Sequence, residues 1–146
     1  MTELIQILSG TVGSLGFAIL FNIRDRRLLF TAIGGFLSWT LYLMFNYLTG
    51  NEVFSYLVVS FLITVYAEVM ARVVKTPTTT FIMASLVPMI PGASLYYTMR
   101  YGFSGDPDLF MGKAIYTLEL ASSIALGVIV ASAVFKIIVK AKRYIR

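Results

Sequence analysis

Phe81-Ile82-Met83-Ala84-Ser85-Leu86-Val87-Pro88-Met89-Ile90-Pro91-Gly92 is an apolar run that proline interrupts twice. Each proline removes a backbone donor and clashes with the turn before it, so the run predicts a broken helix. In hydrocarbon the freed N–H and C=O groups would have no partners. A break at membrane depth therefore survives only where protein or a wet cavity surrounds it. Broken helices of this kind hold solutes near the bilayer midplane in secondary transporters.

The rest of the chain supports a membrane setting. Of 146 residues, 58% are hydrophobic and 13% charged, and the mean hydropathy is +0.83. A soluble domain carries about 25% charged residues. The chain lacks cysteine and histidine. Disulfides, thiolate chemistry, histidine triads and zinc sites built on Cys or His are excluded, and no metal or cofactor site is expected. The first 20 residues hold Glu3 but no Lys or Arg, so a secretory signal peptide is not expected.

Five spans are predicted, at about residues 4–21, 28–48, 53–74, 79–101 and 109–139, in one all-α membrane domain. Lys75-Thr76-Pro77 stops the third, and Thr76 with Pro77 reads as the cap and first turn of the fourth. Gly102-Phe103-Ser104-Gly105-Asp106-Pro107-Asp108 is a loop. The last stretch is longer than a bilayer requires and must tilt, protrude or bend, with Gly127 as the place for a bend.

Charge sets the orientation. Arg24, Arg26 and Arg27, then Arg72 and Lys75, then Lys136, Lys140, Lys142, Arg143 and Arg146 all fall at alternate span ends, on one side. Lysine and arginine stay cytoplasmic, which places the N-terminus outside and the C-terminus inside. The net charge of +5 is thus a topology signal and an attraction for anionic lipid, and no nucleic-acid partner is expected. Two such five-span units in tandem would be inverted relative to one another, a recurrent transporter design, so one chain reads as half of a machine.

Polar residues inside the spans mark candidate chemistry. Tyr56, Ser60, Thr64, Glu68 and Arg72 recur every fourth residue on one helix face, which must meet protein or water. Glu68 can simply pair with Arg72, or it can gain and lose a proton. Glu119 has Tyr116, Ser122 and Ser123 on its face and no local basic partner. Glu68 and Glu119 are the candidates for proton handling.

At the break, Gly92 permits positive φ and close approach. A helix restarting near Ala93 would offer the N–H groups of Ala93, Ser94 and Leu95 to a carboxylate. Pro88, Pro91, Gly92, Ser94 and Tyr96 are the candidate substrate-binding residues, and a small carboxylate-bearing solute is the expected occupant. A packing kink is the alternative meaning of the prolines. Small residues in the first spans, including Gly10, Gly13, Gly16, Gly34, Gly35 and Ser38, let helices approach closely.

Several of these pieces recur in order: Gly16-Phe17-Ala18-Ile19-Leu20-Phe21-Asn22, Gly34-Gly35 with Ser38-Trp39, Glu68 before Lys75-Thr76-Pro77, and Val87-Pro88-Met89-Ile90-Pro91-Gly92 before Tyr96. With them the chain resembles the C-terminal membrane half of the threonine/serine exporter (ThrE) family, which also exists as a small YjjB-type subunit. The resemblance implies proton-driven export of small amino acids such as threonine and serine, or of succinate for the split pair. It also implies a larger YjjP-type membrane subunit as partner. It carries over no site residues.

The sequence thus points to one subunit of a prokaryotic plasma-membrane exporter working by alternating access, as part of a hetero-complex or a homo-oligomer. The competing readings are an oligomeric scaffold without transport and a passive channel. A lipid-acting enzyme would need clustered metal-binding acids, and Asp106 with Asp108 is the one close acidic pair.

Overall fold

Turn residues cut the chain where its apolar runs end. A computed structural model describes the backbone of residues 1–144 and side chains to residue 141. The side chains of Lys142 and Arg143 and the whole of Arg146, all in the basic tail, lie outside the described residues. α1 (Thr2–Leu20) gives way to a loop in which Asn22 and Asp25 take positive φ. α2 (Arg26–Thr49) ends at Gly50, left-handed at φ 63°, where glycine carries no Cβ penalty. Asn51 then caps α3 (Glu52–Val74), its side chain accepting from the Phe54 N–H at 3.1 Å.

Lys75 closes α3 in the left-handed region, and the Thr76 N–H bonds back to the Ala71 carbonyl at 2.9 Å. Thr76 therefore belongs to the end of α3. The expected cap of the fourth span is corrected: Pro77 sits at the N-cap of α4 (Thr78–Ser85) and no side chain caps it. A 3₁₀ turn (Val87–Met89) follows, then α5 (Gly92–Ser104) and α6 (Pro107–Tyr144). The Asp106 side chain accepts from the Leu109 N–H at the start of α6.

Among the described residues every regular element is helical. α1, α2, α3 and α6 are each long and apolar enough to cross a membrane, and α4 with α5, bent by 44° at the break, passes the same test as a pair, with the geometry of a broken span or a re-entrant loop. The outer surface carries exposed Leu4, Leu8, Val12, Leu29, Ile129 and Ile137, as a chain solvated by lipid should.

α3 is the central rod, packed by α6, α2 and α4. Its every-fourth-residue stripe is turned inward at Tyr56, Ser60, Thr64 and Glu68, which are buried, while Arg72 at its end is exposed. Close approach depends on small side chains. A Cβ at Gly34 would overlap Ser85 on α4, and one at Gly35 would overlap Ser14 on α1. α6 runs unbroken through Gly127. A Cβ there would meet the Leu57 carbonyl at 2.6 Å and the Phe61 nitrogen at 2.9 Å, so Gly127 is where α6 lies against the α3 backbone. At about 1.5 Å per residue, α6 exceeds the bilayer and protrudes.

Backbone cannot move aside as a side chain can, so Gly127→Ala must push α3 and α6 apart. We expect it to lower stability by about 1–3 kcal/mol, the range for overpacking, read as a lower Tm of the detergent-solubilised protein. Gly16→Ala, which meets nothing within 4 Å, should leave Tm near that of the parent chain.

Candidate functional site

Prolines 88 and 91 have no N–H to lose, and the chain around them recovers most of its remaining bonds locally. The Met89 N–H reaches the Leu86 carbonyl at 2.9 Å, Ile90 reaches Val87 at 3.1 Å, and Gly92 reaches Ile90 at 2.7 Å. Leu95 is not a free donor, as its N–H bonds to the Pro91 carbonyl at 3.0 Å. That leaves Ala93 and Ser94 as the N–H groups opening α5 without a backbone acceptor among the described residues. α4 spans about 12 Å and α5 about 20 Å at 1.5 Å per residue, so the break lies deep within the bundle.

A cavity of about 640 Å³ lies against this break, with Pro88, Pro91, Gly92, Ala93 and Ser94 on its wall. Its size falls within the range of about 300–1,000 Å³ of small-molecule sites. Gly92 departs from expectation in one respect. Its φ is not positive, and nothing lies within 4 Å of a Cβ placed on it. The turn is made at Ile90 (ψ 122°) and Pro91 (ψ 58°), and Gly92 leaves open space at the helix start.

The rest of the lining is charged and aromatic. Glu52, the first residue of α3, accepts a hydrogen bond from the Tyr42 hydroxyl on α2 at 2.8 Å and another from the Tyr116 hydroxyl on α6. Tyr42 is fixed between Trp39, with ring centroids 4.9 Å apart, and Tyr56 at 5.0 Å. Lys113 also faces the cavity, its ammonium 4.9 Å from the centre of the Tyr116 ring, a cation–π distance. Lys113 forms no ion pair among the described residues. On the α5 side, the Thr117 hydroxyl donates to Ser94 Oγ at 3.0 Å and lies 3.0 Å from the Thr98 hydroxyl, which ties α5 to α6.

The structure gathers Pro88, Pro91, Gly92 and Ser94 on one cavity but places the other candidates elsewhere. Tyr96 is 62% exposed and off the cavity wall; Tyr97 is on it. α5 begins at Gly92, so residues three apart share the Ser94 face, while Tyr96, two apart, turns away. Glu68 lies toward the far end of α3, where Arg72 pairs with it at 2.5 Å and the Thr78 hydroxyl is 3.4 Å away. Arg72 in turn stacks over the Phe135 ring at 4.9 Å. The pairing alternative for Glu68 is the one this geometry contains. Glu119 and Ser122 face outward on α6, away from the cavity.

Glu52, Lys113, Tyr42 and Tyr116 are not among the candidate residues that the sequence offers. Glu52 reads as a flanking charge because it sits beside the Gly50-Asn51 turn. The signal was nonetheless present: Glu52 extends the stripe of Tyr56, Ser60, Thr64 and Glu68 by one more step of four.

The Tyr42–Glu52–Tyr116 bridge joins three helices through a carboxylate. Hydrogen bonds to a charged group contribute about 1.5–3 kcal/mol each. Tyr42→Phe and Tyr116→Phe should each lower the unfolding free energy by about that amount in a sodium dodecyl sulfate titration, and the double variant should lose less than the sum.

The family described as "Threonine/Serine exporter, ThrE" matches the chain over residues 6–134. No curated protein and no solved structure matches. The family match runs from within α1 into α6, and its members are exporters rather than a class of enzymes. The chain belongs to the threonine/serine exporter family and is a multi-pass membrane protein.

Proposed function

We propose that the chain is the membrane subunit of a proton-coupled secondary exporter of small amino acids in a prokaryotic plasma membrane, and that the cavity at the broken span is its solute site. The observation that carries this reading is an acid and a base, Glu52 and Lys113, brought from different helices onto one cavity. A zwitterion needs both. Its ammonium meets the Glu52 carboxylate, and its carboxylate meets Lys113 together with the Ala93 and Ser94 N–H groups at the positive end of α5. The hydroxyls of Ser94 and Tyr97 suit a solute that carries a hydroxyl of its own, as threonine and serine do. Succinate, with two carboxylates, would set one of them against Glu52, so the amino acid is the better match.

With the basic loops cytoplasmic, the cavity belongs to the outer half of the bundle and the packed end to the inner half. Ala18, Ala67, Phe81 and Ala84 are fully buried at that packed end. This is an outward-open arrangement, and alternating access requires the Glu68–Arg72–Thr78 end to part. Glu119 bears on the partner. An exposed carboxylate about 18 Å along α6 is costly against lipid, which supports a protein cover, here the larger subunit of the exporter.

The test is efflux from proteoliposomes holding the chain and that larger subunit, loaded with threonine, serine or succinate, with and without a pH gradient. We expect gradient-driven efflux of threonine and serine to exceed that of succinate. Glu52→Gln and Lys113→Gln should each reduce it about tenfold or more, since a charge-assisted hydrogen bond is worth about 1.5–3 kcal/mol. Efflux that ignores the gradient would mark a passive channel, and no efflux from the complete complex would mark a scaffold.

A further inference from the structure

We propose that Glu52 is the group for which a proton and the solute ammonium compete, so that one leaves as the other binds. This deepens the reading of the cavity as an amino-acid site and rests on it. Sequence alone pointed to Glu68 and Glu119 for the proton, but neither lines the cavity. Among the described residues Glu52 is the one carboxylate that does.

Its surroundings suit exchange. A carboxylate offers about four acceptor positions. The Tyr42 and Tyr116 hydroxyls take up two, fixing the group in place. The remainder can receive either an ammonium or a proton. A hydroxyl can rotate from donor to acceptor, so the tyrosines can serve the protonated acid as well as the carboxylate. The other titratable or charged groups facing this region are Tyr56 on α3, Tyr97 on α5 and Lys113 on α6, and Glu119 lies near Tyr116 on α6. Gln6 and Asn46 add neutral amides from α1 and α2.

The exchange balances at a single bond. When the solute leaves, its ammonium departs with its own protons, and a proton from the bathing water forms an O–H bond on Glu52. When solute returns, that O–H bond breaks and the proton goes back to water. The solute is net neutral, so each exchange carries one positive charge opposite to the solute. The chain has no histidine, so no imidazole can produce a pH dependence between 5 and 8.

The chain carries its own reporter, because its single tryptophan, Trp39, lines the cavity. The experiment titrates L-serine into the purified full chain in lipid nanodiscs from pH 8 to pH 5, reading Trp39 fluorescence, with a pH dye in weak buffer counting released protons. We expect the apparent Kd of the parent chain to rise as the medium is acidified, as competition between proton and ammonium requires, with proton release on serine binding at the acid end. Glu52→Gln should bind more weakly and with a flat pH profile. Glu68→Gln and Glu119→Gln should keep the parental slope. A sloping profile in Glu52→Gln, or a flat one in Glu119→Gln or Glu68→Gln, overturns the inference while leaving the solute site standing. Should Glu52→Gln fail to fold, proton release by the parent chain decides: serine binding without it at any pH overturns the proposal. No fluorescence response and no proton release at any pH would overturn both the inference and the solute site.

Discussion

Hydrocarbon offers no hydrogen bonds, and every feature of this molecule that resembles a site follows from that constraint. A helix with two prolines inside it cannot satisfy its own backbone. The chain solves part of the problem locally, with a 3₁₀ turn and short bonds from Met89, Ile90 and Gly92. What remains, the start of α5, is left beside a cavity of about 640 Å³. The break and the cavity are therefore one feature: the open space is what allows the broken backbone to exist at that depth.

The two ends of the bundle are built in opposite ways. At the packed end, small residues and Phe81 fill the space between α3, α4 and the start of α2, and Glu68 holds Arg72 while lying near Thr78 at the start of α4. That ion pair lies within α3, and it reaches its neighbours through the Phe135 ring of α6 and the Thr78 hydroxyl of α4. At the other end the same α3 stripe begins with Glu52, but here the partners are tyrosine hydroxyls, and open space replaces a cation. One periodic stripe thus has a closed end and an open end.

α5 is held differently from the other helices. It packs along α6, linked through Ser94, Thr98 and Thr117, and most of its other side chains face outward, among them Leu95, Tyr96, Met99 and Phe103. The hairpin of α5 and α6 therefore forms one wall of the cavity, while α1, α2 and α3 form the other. Gly10 on α1 brings that second wall against Pro88 at 3.3 Å from a Cβ position, which seats the break between the two.

Much of the fold was readable without coordinates, because membrane solvation writes itself into one dimension. Apolar run length, turn residues and proline positions mark the spans and the break in the fourth, and the bilayer leaves few other choices. The burial of the α3 stripe followed from its period, and the helical break at Pro88 and Pro91 from the chemistry of proline. Membership of the exporter family was legible in the order of short motifs.

The composition of the site was not legible, since it depends on which side chains from distant segments meet. Glu52 lies at a helix end, where sequence shows only a flanking charge, and tertiary packing sets it under Tyr42 and Tyr116. Tyr97 rather than Tyr96 faces the cavity because the phase of α5 is set by the residue at which it restarts, and each residue turns the helix by about 100°. Glu68 and Glu119 stood out as buried acids by position alone, yet one is tied to Arg72 and the other faces outward. Sequence determined where the apolar helices run and where the fourth run must break, because those follow from local bonding and solvent. Only the tertiary structure decided which carboxylate looks into the cavity, because that follows from the packing of helices far apart along the chain.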